Sequence, residues 1–175
     1  MAASRVRAWI LILFVAAALL IPSVEAAEIA RVVRVVDGDT FTASADGRLF
    51  TVRMAAIDAP ETSKSGHAQG QPYARKAWAH LAEMILHHDV EIRRHGTDRY
   101  GRVLAEVFRD GQNVNLEMVS SGLAEVYRGR PATGLDMDSY RRAEADARLH
   151  RREMWALGEQ YVSPQSWRRL ERHPF

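Results

Sequence analysis

Residues 32–62 read VVRVVDGDTFTASADGRLFTVRMAAIDAPET, and the reading of this stretch decides the fold. Ile29, just ahead of it, joins Val32, Val33, Val35 and Val36 in a β-branched run that favours a strand. Asp37-Gly38-Asp39 supplies the turn that closes the run. Thr40 to Ala45 reads as a second strand, and Asp46-Gly47 after it is a hairpin signal. Arg48 to Ile57 returns as a third strand, with Leu49 and Phe50 opening it and Val52, Met54 and Ala56 alternating along one face. Pro60 has no N–H for a ladder and ends it. Centring the hairpin between residues 46 and 47 sets residue 39 near residue 54. Asp58 then lies about four positions beyond the pair, and a bend in the third strand would bring Asp39 and Asp58 to one place.

Outward from this core, residues 62–71 are rich in Ser, Gly, Gln and His and read as a loop. Pro72 fits a first helical position. Tyr73, Ala77, Leu81, Met84 and Ile85 follow at helical spacing, which predicts an amphipathic helix over 72–87. Strands follow at about Val90–Arg94 and Val103–Phe108, separated by a turn from Gly96 to Gly101. Asp110-Gly111 is a further turn. Asn115 reads as an N-cap, with Val114 and Val119 as a staple and Gly122 as the stop. A last helix is expected over Ser139–Glu153, with Tyr140, Ala143, Ala147 and Met154 on one stripe and an irregular tail from Gly158. Pattern alone supports a small α+β domain. Five strands with a helix after the third also match the connectivity of an OB-like barrel.

The chain has 175 residues, 47% hydrophobic and 26% charged, which suits one compact domain and excludes disorder, collagen-like repeats and a polytopic membrane protein. Its 24 basic and 22 acidic residues leave a formal net of +2, too balanced to identify a nucleic-acid binder by charge. Only Lys64 and Lys76 among the basic residues are lysine. Arginine grips phosphate in a planar fork, although a GC-rich genome gives the same bias. Residues 1–26 read as a signal peptide: Arg5 and Arg7, an apolar run from Ala8 to Ile21, Pro22, and small residues around Val24-Glu25-Ala26. The run falls short of the roughly 20 residues that a membrane anchor needs, so the expectation is a secreted or periplasmic domain over 27–175 with no stable membrane association after cleavage. There is no Cys, so that domain stands on its core without disulfides.

Asp37, Asp39, Asp58 and Glu61 fall at strand ends or turns, where each on its own is as readily a solvated turn residue. Together they offer hard oxygen ligands for a cation such as calcium, with the carbonyl of Ala59 adjacent. Glu61 would then stand beside a bound water as a base. Arg53, facing away from Val52 and Met54, is either a snorkelling edge residue or a phosphate ligand. Arg102 follows Thr97-Asp98-Arg99-Tyr100-Gly101, a turn with an aromatic tip. Carboxylates with two separate arginines suit phosphodiester cleavage.

The stretches Val35-Val36-Asp37-Gly38-Asp39-Thr40, Val52-Arg53-Met54 and Ile57-Asp58-Ala59-Pro60-Glu61-Thr62 resemble the thermonuclease (staphylococcal nuclease) family. Thr97 to Arg102, and Asn113-Val114-Asn115 through Gly122-Leu123-Ala124, continue the likeness in order over about residues 28–155. The resemblance implies a mainly β, α+β fold: a five-stranded OB-fold barrel with three helices. It also implies Ca2+-dependent cleavage of DNA and RNA. By position, Asp39 and Asp58 match the metal carboxylates and Ala59 the carbonyl ligand, where the usual residue is Thr. Glu61 matches the general base, and Arg53 and Arg102 the catalytic arginines. Arg99 stands where the nucleotide pocket has lysine, Tyr100 matches its tyrosine, and Tyr127 is expected to stack on the base. The product would carry a 3′-phosphate and a 5′-hydroxyl, from single-stranded DNA or RNA cut by a monomer. The rival reading is an OB-fold module that binds single strands without cutting.

The seven His residues show no ligand spacing on a predicted helix, which argues against zinc. Trp78 and Trp155 read as core. The pairs Arg141-Arg142, Arg151-Arg152 and Arg168-Arg169 read as a solvated face beside Glu144, Glu153 and Glu171, with phosphate-backbone contact as the alternative.

Overall fold

The computed structural model describes residues 27–62 and 70–172. The expected signal peptide and most of the 62–71 loop, Lys64 included, lie outside the described residues. Strands β1 (Glu28–Asp37), β2 (Thr40–Ala45) and β3 (Arg48–Met54) form an antiparallel meander. A short β4 (Ile57–Asp58) follows, then helix α1 (Ala74–Ile85), β5 (Asp89–Thr97) and β6 (Val103–Arg109). Strand β5 pairs with both β1 and β6, and β3 runs parallel to β6. That last pairing closes β1, β2, β3, β6 and β5 into a five-stranded barrel, which leaves these strands without a free edge. Val32, Phe41, Ala43, Val52, Met54, Val90, Ile92, Ala105 and Val107 fill its interior. Burial of each larger side chain contributes about 1.5–3 kcal/mol.

The hairpin register is as expected: Thr40 lies opposite Arg53, and the Met54 amide donates to the Asp39 carbonyl at 2.8 Å. The third strand, however, stops at Met54 rather than Ile57. The chain turns through Ala55 and Ala56, the latter at φ 67°. It resumes as β4, which pairs with β8 (Glu125–Val126), Asp58 opposite Glu125. This break is the bend that carries Asp58 back towards Asp39.

Asn115 holds the break in place. Its fully buried side chain accepts from the Val107 amide at 2.9 Å and donates to the carbonyls of Ala55 and Ala105 at 2.9 and 3.0 Å. It is therefore not an N-cap. That role belongs to Asn113, in the short β7 (Gln112–Asn113), whose side chain accepts from the Leu116 amide at the start of α2 (Val114–Ser120). Gly122, at φ 78°, ends this segment as expected.

Helix α1 begins at Ala74, not Pro72, because Tyr73 is left-handed at φ 70°. Its buried stripe is Ala74, Ala77, Leu81 and Ile85. Trp78 is partly exposed, with its ring N–H on the Val35 carbonyl. The helix approaches the β1–β2 turn so closely that a Cβ on Gly38 would lie 2.8 Å from the Cβ atoms of both Ala59 and Ala77. Gly38→Ala is expected to cost about 1–3 kcal/mol through overpacking, read as a lower midpoint in urea denaturation.

Helix α3 (Met137–Leu149) is capped by Asp136 and ends four residues before the expected Glu153. Met154 and Trp155 are buried within a 3-10 segment, Glu153–Gln160. The tail is not irregular: residues Pro164–Arg172 form a fourth helix, α4. No helix among the described residues is long and apolar enough to cross a membrane.

Candidate active site

The β1–β2 turn, the β4 end and the stretch leading to α1 converge at one mouth of the barrel. Asp39 immediately precedes β2 and is buried. One of its carboxylate oxygens accepts from the Thr40 hydroxyl at 2.9 Å. The other accepts from the Ala59 amide at 2.8 Å and lies 2.8 Å from Arg53 Nη1. Arg53 Nη2 reaches Asp58 Oδ1 at 2.9 Å. One guanidinium fork therefore holds both carboxylates. Burial raises Asp39 to about 7, against the pull of Arg53 and with the push of Asp37. Burial disfavours the charge on Arg53, and Asp39 and Asp58 more than restore it. Arg53 is thus not an exposed snorkeller; it is the counterion of the cluster.

Glu61 leaves β4 just after Pro60, and Gln71 fixes its backbone from both sides. The Gln71 side-chain oxygen accepts from the Glu61 amide at 3.1 Å, and the Gln71 amide donates to the Glu61 carbonyl at 2.9 Å. The Gln71 side-chain NH2 donates to the Val162 carbonyl at 2.7 Å, tying this segment to the chain entering α4. From α4, Arg168 enters the site. Its Nη1 and Nη2 lie 3.0 and 2.7 Å from the two oxygens of Asp58, and Nη1 lies 2.5 Å from Glu61 Oε1. Burial works against the Arg168 charge, and the bonds to Asp58 and Glu61 outweigh it and raise its pKa. Arg168 is thus not part of a solvated face.

Arg102 stands apart from this cluster. Asp98 accepts from the Arg102 Nε at 2.8 Å and from the Arg102 amide at 3.0 Å. Leu104 lies opposite Arg53 in the β3–β6 register, and Arg102, two residues earlier, falls on the same side by strand alternation. The exposed Tyr100 ring has the Arg99 guanidinium 4.9 Å and that of Arg102 5.5 Å from its centroid. Tyr127 follows β8 directly, donates its amide to the Ala56 carbonyl at 2.8 Å and is 40% exposed. Both side chains are exposed, and the Tyr127 ring packs against Gly129, where a Cβ would lie 2.4 Å from its hydroxyl oxygen.

Gln71, Glu125 and Arg168 were not singled out as site residues by the sequence. Glu125, opposite Asp58, is buried and receives the Tyr161 hydroxyl at 2.7 Å. Burial pushes its carboxyl up, and Tyr161 opposes this. Nothing periodic marks these positions, because their partners lie far away in sequence.

The description "Staphylococcal nuclease homologue" matches residues 51–157. An uncharacterized endonuclease of Haemophilus influenzae is 36% identical over 143 residues, covering 81% of this chain and 74% of that protein. The micrococcal nuclease of Shigella flexneri is 34% identical over 153 residues, covering 81% of each. A probable endonuclease LCL3 of Verticillium alfalfae is 34% identical over 129 residues, 70% of this chain but 45% of that longer protein. With the closed barrel and the site at its mouth, these matches show that the chain belongs to the staphylococcal nuclease family and is a phosphodiester hydrolase of the thermonuclease type.

Proposed function

We propose that this protein is an exported, Ca2+-dependent endonuclease that hydrolyses single-stranded or frayed DNA and RNA as a monomer. The observation that carries this reading is the convergence of Asp39 and Asp58 on the Arg53 fork, with Glu61 joined to Asp58 through Arg168, in a chain that also exposes Tyr100 beside Arg99 and Arg102.

The family is metal-dependent, and the donor set suits a hard cation. Asp39 and Asp58 converge on a single guanidinium, and the desolvated Asp39 carboxylate gains from added positive charge. Among the described residues no three His, Cys, Asp or Glu side chains are gathered for a metal. The third ligand in this reading is the backbone carbonyl of Ala59, which needs no particular side chain. Held there, Ca2+ supplies charge that offsets the phosphoryl oxygens.

The protein's own residues do the rest. Glu61 accepts the proton of a water that attacks phosphorus in line. Arg53 and Arg102 hydrogen-bond the phosphoryl oxygens as charge builds on them. Arg99 and Tyr100 hold the nucleotide's phosphate side, and Tyr127 stacks on its base. The bond to the 5′ oxygen breaks and that oxygen takes a proton from solvent, leaving a 3′-phosphate and a 5′-hydroxyl.

End-group analysis tests this reading. Fragments from denatured DNA should resist polymerase extension until a phosphatase removes the 3′-phosphate. Fragments extended without phosphatase would overturn the assigned bond. N-terminal sequencing of the exported product should begin at Ala27, and a retained leader would replace export with anchoring.

A further inference from the structure

We propose that helix α4 is an autoinhibitory strap, in which Arg168 competes with a divalent cation for Asp58 while holding Glu61. This rests on the roles given above to Asp58 and Glu61. The contacts define the competition. Arg168 covers both oxygens of Asp58, one of which also receives Arg53, and the same Nη1 grips Glu61. A cation seated on Asp58 needs lone pairs that these N–H groups use. Arg168 also holds one of the two oxygens with which Glu61 would take a proton from water.

Charge adds to the competition. With Arg168 in place, the carboxylates of Asp39, Asp58 and Glu61 face the guanidinium groups of Arg53 and Arg168. Withdrawal of Arg168 leaves one more unit of negative charge for a divalent cation to neutralise. A guanidinium left beside that cation would repel it at close range. The linkage is reciprocal: a bound cation weakens the hold on α4 by the factor by which α4 weakens the cation.

The family match ends at residue 157, before α4 begins. The helix turns Pro164, Trp167 and Arg168 inwards, whereas Arg169, Leu170 and Glu171 are exposed. Ser163 precedes it, and the Ser163 hydroxyl accepts from the Ser166 amide. The bond from Gln71 falls one residue earlier, on Val162. Rotation at Val162–Ser163 therefore lifts Arg168 while Gln71 still fixes the Glu61 backbone.

Calorimetric titration of the full chain with Ca2+, with hydrogen exchange of α4 read in parallel, tests the strap. Arg168→Ala and Arg168→Gln should each tighten Ca2+ binding by about 5- to 150-fold, the usual range of such coupling. Exchange in α4 of the wild type should quicken when Ca2+ is added and be quick in both variants without it. Arg169→Ala, on the exposed side, should change neither readout. Unchanged or weaker Ca2+ binding in both Arg168 variants would overturn the strap, and so would Ca2+ binding that Asp58→Asn does not weaken. If neither the wild type nor the Arg168 variants bind Ca2+, the metal site itself falls and the strap with it.

Discussion

Glu61→Gln is expected to lower turnover on denatured DNA by about 10^2- to 10^4-fold, the usual contribution of a positioned general base. The amide keeps an oxygen that can accept from Arg168, and Gln71 holds the backbone through groups the substitution does not touch. The melting temperature should therefore move little. What is lost is the capacity to take a proton from water. Because the proposed role arises only as water attacks, kcat should fall with KM nearly unchanged. Steady-state kinetics beside a thermal melt separates the cases. Turnover close to wild type would place the base elsewhere. Equal losses in folding and activity would make Glu61 a structural residue.

The largest loss of stability is expected from Arg53→Ala. Its guanidinium is the group shared by Asp39 and Asp58, both buried. Removing one partner of such a group leaves uncompensated buried charge and costs about 3–5 kcal/mol. Arg168 softens the loss at Asp58 but makes no bond to Asp39 among those described. Arg53→Lys should recover only part, since an ammonium cannot span both carboxylates as a fork does. Added Ca2+ should recover more of the stability, because binding to the folded state stabilises it by mass action. Urea denaturation with and without Ca2+ measures both effects. A loss below about 1 kcal/mol, in the range of exposed pairs, would mean that the carboxylates are not held by Arg53. Turnover should also collapse in both variants, through lost positioning and lost contact with the phosphoryl group.

The barrel was legible because its signals are local. Asp46-Gly47 fixed the hairpin, and counting from that turn set Asp39 against Met54, which the Met54–Asp39 backbone bond bears out. The five strands and the first three helices follow from period and punctuation in the same way. The meeting of Asp39 with Asp58 was only half legible. Counting showed that a bend was needed, but its cause is Asn115 clasping Ala55 and Ala105 from another element. A polar residue near a helix start reads as a cap because capping is the commoner use. Only the fold reveals three backbone partners around a buried amide.

Arg168 was misread for a related reason. Next to Arg169 and Glu171, it has the look of a solvated helix face, and its partners Asp58 and Glu61 lie more than 100 residues away. Its setting depends on Trp167, Pro164 and Gln71 seating α4, none of which has periodicity to betray it. The chemistry-bearing residues of the barrel were thus readable from turns and strand ends. The residues that position or restrain them act across the chain and were not.

The proposed function stands on a cation-dependent hydrolysis that runs through Glu61. The most direct measurement is digestion of denatured DNA by the purified protein with Ca2+ and with a calcium chelator, each repeated with Glu61→Gln. Cleavage is expected only from the wild type with Ca2+, and it should return when Ca2+ is restored after chelation. Cleavage that persists in chelator, or that Glu61→Gln matches, would contradict it. Binding of the strands without any cleavage would identify the protein as a module that holds nucleic acid rather than cuts it.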